Sequence, residues 1–161
     1  MSPGTTRCLL IDANVLIDYV KTERSILGLA ARHIGEVHVL STVLKEVEGL
    51  DEDGCRHLGL RVIEPELSQL VAAAQKRGSL STADHLCLIL ARKEGWGCVT
   101  NERPLRSACG KEGILVFWGL ELMQELVRIC QLDPKDAIVI ANAIHAENPL
   151  HITKAIVERK S

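Results

Sequence analysis

Aromatic side chains are scarce in this chain of 161 residues: two tryptophans, one tyrosine and one phenylalanine. A broad platform on which nucleobases stack is excluded. An excess of one charge is missing too, because 19 Lys and Arg face 21 Asp and Glu for a net charge of −2. Such a chain does not hold a polyanion by bulk charge; any nucleic-acid contact must come from local basic groups or from metal. No apolar run approaches the ~18 residues of a membrane span. Met1 to Arg7 lack the charged-then-apolar layout of a signal peptide. The six cysteines, Cys8, Cys55, Cys87, Cys98, Cys109 and Cys130, form no C-x-x-C pair, and no zinc spacing links them to the six histidines. Most lie in apolar runs, where a reduced thiol acts as a small hydrophobe. These absences predict a soluble, cytoplasmic protein with reduced thiols and no membrane contact.

What is present suits one packed domain: 47% hydrophobic and 25% charged residues. There is no internal repeat and no long linker. Residues 8–12 read as a buried strand ending in an acid. Helical patterns follow at 15–19 and 26–33, then a strand at 37–40. Ser41 or Thr42 is placed to cap a helix running to about Leu50, and Asp51 to Gly54 read as a loop. A strand at 60–63 precedes a helix opened by Pro65 and stopped by Gly78. Ser81 caps a strongly apolar helix, 82–94, which Gly95 ends. Strands at 97–100 and 114–118 flank a short basic helix at 104–108. Helices at 120–130, 134–146 and about 152–158 close the chain.

Strands alternate with helices, which predicts an α/β fold: one α/β/α sandwich on a mostly parallel sheet, with C-terminal helices. Residues 1–118 form the core in this reading. Residues 119–161 form a helical extension packed on the same domain or on a dimer face. Ligands of such sheets bind at the carboxyl ends of the strands. Asp12 ends the first strand, with Asn14 two residues on. Glu46 lies about a turn into the helix after the second strand. Asp84 sits in the first turn of its helix, and Glu102 lies two residues past Thr100. Four acids gathered at one edge repel one another unless a cation sits among them. Hard oxygen donors suit Mg²⁺ or Mn²⁺. His85, Lys45 and Arg106 have ordinary structural or surface readings beside any functional one.

Leu9 to Asp18 (LLIDANVLID) resembles the opening of PIN domains, in particular of VapC-type toxins of toxin–antitoxin pairs. Ser41 to Val47 resembles the family's second motif, Leu80 to Ala91 the third and Val99 to Arg106 the fourth. The similarity runs in order from about residue 8 to 118, and the ordered set carries it. The resemblance implies a PIN-like fold and a metal-dependent endoribonuclease acting on single-stranded RNA. Asp12, Glu46 and Asp84 would ligate Mg²⁺ or Mn²⁺. Glu102 would match a fourth acid that is usually Asp. Asn14, Thr100 and Ser81 would orient those groups or the substrate; apart from the resemblance, Arg103 and Arg106 beside the fourth motif, and Lys45, are placed to touch phosphate. A protein antitoxin and a homodimer are the partners implied. Other readings are a housekeeping RNA-processing nuclease, a catalytically weakened RNA-binding or assembly module, and a phosphatase of the haloacid dehalogenase kind. The last is disfavoured because Asn14 stands where a second acid is needed.

Overall fold

The computed structural model describes residues 7–75 and 78–147. In chain order the elements are β1 (Cys8–Ile11), α1 (Ala13–Thr22), α2 (Ser25–His33), β2 (Glu36–Leu40), α3 (Ser41–Leu44), α4 (Glu52–Leu58), β3 (Arg61–Ile63), α5 (Leu67–Ala74), α6 (Thr82–Glu94), β4 (Gly97–Val99), α7 (Arg103–Lys111), β5 (Val116–Phe117), α8 (Gly119–Arg128) and α9 (Pro134–Glu147). The five strands form one sheet in the order β3-β2-β1-β4-β5. Every pairing is parallel. The central strands are apolar on both faces, as a sheet flanked by helices requires. Leu9, Leu10 and Ile11 of β1 and Val37, Val39 and Leu40 of β2 are all buried.

Strand order sets where a ligand can enter. The chain moves outward from β1 through β2 to β3, then returns to place β4 on the other side of β1. The reversal leaves a crevice between the carboxyl ends of β1 and β4, the position at which parallel α/β sheets bind ligands. Register brings Ile11 beside Val99, and the Asp12 amide donates to the Val99 carbonyl at 3.0 Å.

Helix signals in the sequence explain most boundaries. The Ser81 hydroxyl accepts from the Asp84 amide and starts α6, and Gly95 ends it with a φ of 73°. That left-handed backbone favours glycine. Three expectations are corrected. The helix expected to reach Leu50 stops at Leu44, because Lys45 and Glu46 form a turn. Val47 and Leu50 are then drawn into the core, while Gly49 adopts a φ of 85°. Asp51 to Gly54 are not a loop. The Asp51 carboxylate accepts from the Gly54 amide at 2.7 Å and caps α4. The acidic run suits the positive end of the helix dipole. Pro65 does not open α5; Glu66, one residue later, is its N-cap, and the Glu66 amide donates to Gln69 Oε1 at 2.9 Å. The expected end of that helix near Arg77, and the helix expected at 152–158, lie outside the described residues.

The C-terminal helices are packed on the rest of the molecule: α8 lies against α2, and α9 against α1 and α8. Leu122, Met123, Leu126, Ala141 and Ile144 are buried there. Each such large side chain contributes roughly 1.5–3 kcal/mol of hydrophobic stabilisation. Among the described residues, no helix is long and apolar enough to cross a membrane. All six cysteines are free thiols, four of them buried.

Candidate active site

Asp12 stands at the mouth of the crevice because it does two local jobs. It ends β1, and it caps α1 by accepting from the Ala13 amide at 2.8 Å through Oδ1. Its other oxygen, Oδ2, accepts from the Thr100 hydroxyl at 2.9 Å. Thr100 is fully buried at the end of β4. Its Oγ1 also accepts from the Glu102 amide at 3.0 Å, which fixes the hydroxyl proton on Asp12. Asn14, the second residue of α1, donates through Nδ2 to Glu102 Oε1. Asp12, Asn14, Thr100 and Glu102 therefore form one hydrogen-bonded chain across the switch point.

Asp84 and Glu46 join this group through their fields. Burial pushes the Asp84 carboxyl up to about 7; the charges of Asp12 and Glu102 push the same way, the Ser81 hydrogen bond opposes them, and Glu46 adds a smaller push. The Asp12 carboxyl is also raised, by burial first, with Thr100 and Ala13 pulling it down and Glu102 and Glu46 raising it. Like charges brought near one another in a desolvated site produce such shifts. A divalent cation among them would oppose the effect, because its positive charge favours the ionised carboxylates.

The donor set fits a hard cation: carboxylate oxygens, with hydroxyl and amide groups aligning them. The oxygens do not form a closed cage. Among the described residues, the one group of three ligand-type atoms all within 4.8 Å of one another is Cys8, Glu36 and His38, at the other end of the strands. Mg²⁺ commonly takes one or two protein carboxylates and keeps several waters, so a closed cage is not required.

Not every candidate residue reaches this centre in the same way. Ser81 acts on the backbone of Asp84 and is itself exposed. Glu46 is exposed, in the turn after α3 rather than inside a helix. Arg103 is exposed at the first position of α7. Arg106 lies 3.8 Å over the Trp118 ring and donates to the Thr100 carbonyl at 3.3 Å. The buried His85 ring faces α5, with Nδ1 3.3 Å from the Ala73 carbonyl. Two groups near the site escaped the sequence reading. Asn101 is buried, and its Oδ1 accepts from the Gly119 amide at 2.8 Å. Asp18 is buried one turn beyond Asn14 on α1. Asn101 had a usable signal, its place directly after the strand end. Asp18 had only helical spacing from Asn14.

No protein-family model matches the chain, and no curated protein matches it. Solved structures do. A PilT N-terminus domain protein from the hyperthermophilic archaeon Sulfolobus solfataricus is 12% identical, with a TM-score of 0.54 over 73% of this chain and 92% of that one. PAE2754 from Pyrobaculum aerophilum is 21% identical, with a TM-score of 0.51 over 78% of this chain and 91% of that one. At such identities the likeness establishes the fold, which this chain shares with a PilT N-terminus, or PIN, domain protein.

Proposed function

We propose that the chain is a PIN-family, metal-dependent endoribonuclease, with Asp12, Asp84, Glu102 and Glu46 holding Mg²⁺ or Mn²⁺ at the β1–β4 crevice. One observation carries this reading: the charges of Asp12 and Glu102, from separate segments, reach the buried Asp84 and join burial in pushing its carboxyl up to about 7. Bound metal would supply an activated water and neutralise charge gathering on the phosphate. The protein's own groups do the positioning. Thr100 aims Asp12, and Asn14 holds Glu102 toward the same crevice. Arg103, exposed beside Glu102, offers a cation to an RNA phosphate. Arg106 is committed to Trp118 and the Thr100 carbonyl, so it acts as a brace for the strand end.

The specific role we assign is the toxin of a type II toxin–antitoxin pair, a dimeric cytoplasmic enzyme restrained by a protein antitoxin. This finer role rests on the motif resemblance. Apolar side chains exposed on α5, Leu67 at 77% and Val71 at 57%, and Val139 of α9 at 67%, support a protein partner. A housekeeping RNA-processing nuclease has the same chemistry without an antitoxin. A second reading, a PIN-like RNA-binding or assembly module without catalysis, is favoured by the open arrangement of the acid oxygens.

The experiment is cleavage of single-stranded RNA by purified protein, with chelator or with Mn²⁺. Metal-stimulated cutting that disappears in Asp12→Asn supports the nuclease. RNA binding without metal-stimulated cutting supports the module and removes the enzyme. Induction of the gene alone and beside its genomic neighbour tests the toxin role, which harmless overexpression of active enzyme defeats.

A further inference from the structure

A second, chemically different cluster lies at the opposite edge of the sheet. Cys8 is the first residue of β1, and register places it beside Glu36, the first residue of β2. His38 lies two residues further along β2, on the same face as Glu36, because side chains alternate across a strand. The Cys8 thiol donates to Glu36 Oε2 at 3.3 Å. The ligand atoms of Cys8, Glu36 and His38 all lie within 4.8 Å of one another.

The His38 ring supplies an independent observation. The residue is 6% exposed, yet among the described residues neither Nδ1 nor Nε2 has a hydrogen-bond partner. Buried polar atoms without partners are rare and costly. Stacking on Trp96, with ring centroids 4.0 Å apart and planes 9° from parallel, fixes the ring face but satisfies neither nitrogen. Burial lowers the basicity of this imidazole, which leaves it in the neutral form that ligates metal. Glu36 keeps one oxygen on Arg61, through Oε1 at 2.9 Å, and turns the other toward Cys8. Cys8 and Glu36 are only half-buried, and Cys8 lines a cleft with Trp96 and Gly97, so an ion has a path in.

We propose that Cys8 Sγ, Glu36 Oε2 and the His38 imidazole bind one thiophilic divalent cation of the zinc class. A sulfur, a nitrogen and one oxygen form a borderline-soft set, suited to Zn²⁺ rather than Mg²⁺. Three protein ligands leave the fourth tetrahedral position to water from the cleft. Binding displaces the thiol proton to solvent, and the thiolate then bonds the ion. The cation clips the amino ends of β1 and β2 together. Cys8 and Asp12 are four residues apart on one strand, about 13 Å, so this site is separate from the proposed catalytic acids and does not depend on the nuclease reading.

Cobalt is the probe, because a thiolate bound to Co²⁺ gives a charge-transfer band in the near ultraviolet. Full-length protein, reduced and stripped by chelator, is titrated with Co²⁺ and then with Zn²⁺. One equivalent of Co²⁺ is expected to raise the band, and Zn²⁺ to erase it. Cys8→Ser and His38→Phe should lose the band, whereas Cys130→Ser and Asp12→Asn should keep it. Circular dichroism checks each fold. Should His38→Phe fail to fold, Glu36→Gln takes its place and is expected to weaken Co²⁺ binding. Zinc should also raise the melting temperature of wild type and not that of Cys8→Ser. Absence of a thiolate band in wild type, or its survival in Cys8→Ser, overturns the proposal.

Discussion

The two ends of the central sheet carry different donor atoms on the same strands. At the carboxyl end, β1 delivers Asp12 and the exit from β4 delivers Thr100 and Glu102, all oxygen donors linked by hydrogen bonds. At the amino end, β1 delivers Cys8 and β2 delivers Glu36 and His38, a sulfur–oxygen–nitrogen set. The oxygen end is organised but electrostatically stressed, with burial first and neighbouring acids second raising the carboxyls of Asp12 and Asp84. The other end is compact but leaves two imidazole nitrogens unsatisfied. A parallel sheet thus presents two unlike sets of donor atoms at its two ends, and donor type sets which metal each proposed site would prefer.

Several changes should pull the two ends apart, and the largest concerns catalysis. Asp84→Asn is expected to lower metal-stimulated RNA cleavage by roughly 100-fold or more, since even groups that only orient metal ligands cost 10–100-fold. The cobalt–thiolate band of the same variant should be unchanged; its loss would merge the two ends into one site. Thr100→Val keeps the shape but removes the hydroxyl that holds Asp12. A fall in cleavage of about 10–100-fold is expected, with weaker Mn²⁺ binding by titration calorimetry.

The next effect is on stability against pH. In the folded chain Asp84 titrates near 7, above its ordinary value of 3.8. Between those values the native state holds a proton that the unfolded state has released, so stability falls as pH rises from about 4 to about 7. Metal-free wild type should lose roughly 1–3 kcal/mol to Asp84 across that window, a figure discounted from about 1.4 kcal/mol per pKa unit. Urea denaturation of Asp84→Asn should remove that part of the slope. A wild-type slope that is flat, or that persists undiminished in the variant, would remove Asp84 as a stressed acid.

The smallest effect belongs to the amino end without metal. Arg61→Ala breaks an ion pair with Glu36 whose side chains are 66% and 36% exposed. Exposed pairs of this kind contribute about 0.2–1 kcal/mol. Urea midpoints of metal-free protein should shift accordingly little. A large loss would mean that Arg61 and Glu36 form a structural pair unsuited to sharing with a cation.

How far the sequence reveals this molecule depends on the range of the interactions. The buried run at Leu9 to Ile11 and the Ser81 and Gly95 signals around α6 are local, and each marks its element. The edge location of the acids follows from strand-end counting. What escaped reading came from tertiary context. Gly49 and the inward turn of Val47 and Leu50 end a helix whose local pattern continues. Asp51 was legible as a turn residue, but its use as a cap depends on α4 packing Cys55 into the core. The Cys8–Glu36–His38 group has no motif spacing, because the pairing of β1 with β2 creates it.

Gly119 joins the last helices to the rest of the chain. The Tyr19 hydroxyl donates to its carbonyl at 2.6 Å, and the Asn101 side chain receives its amide. A Cβ there would meet Val15 at 3.2 Å and the Asn101 amide nitrogen at 3.3 Å. One residue is thus clasped through both of its peptide groups, with little room for a larger side chain. Ending the chain at Trp118 would take the clasped glycine away and bare the surfaces of α1 and α2 that α8 and α9 roof over. The helical tail is masonry rather than ornament: a shortened chain would begin life with a phenol and a carboxamide deprived of their mates beside the crevice.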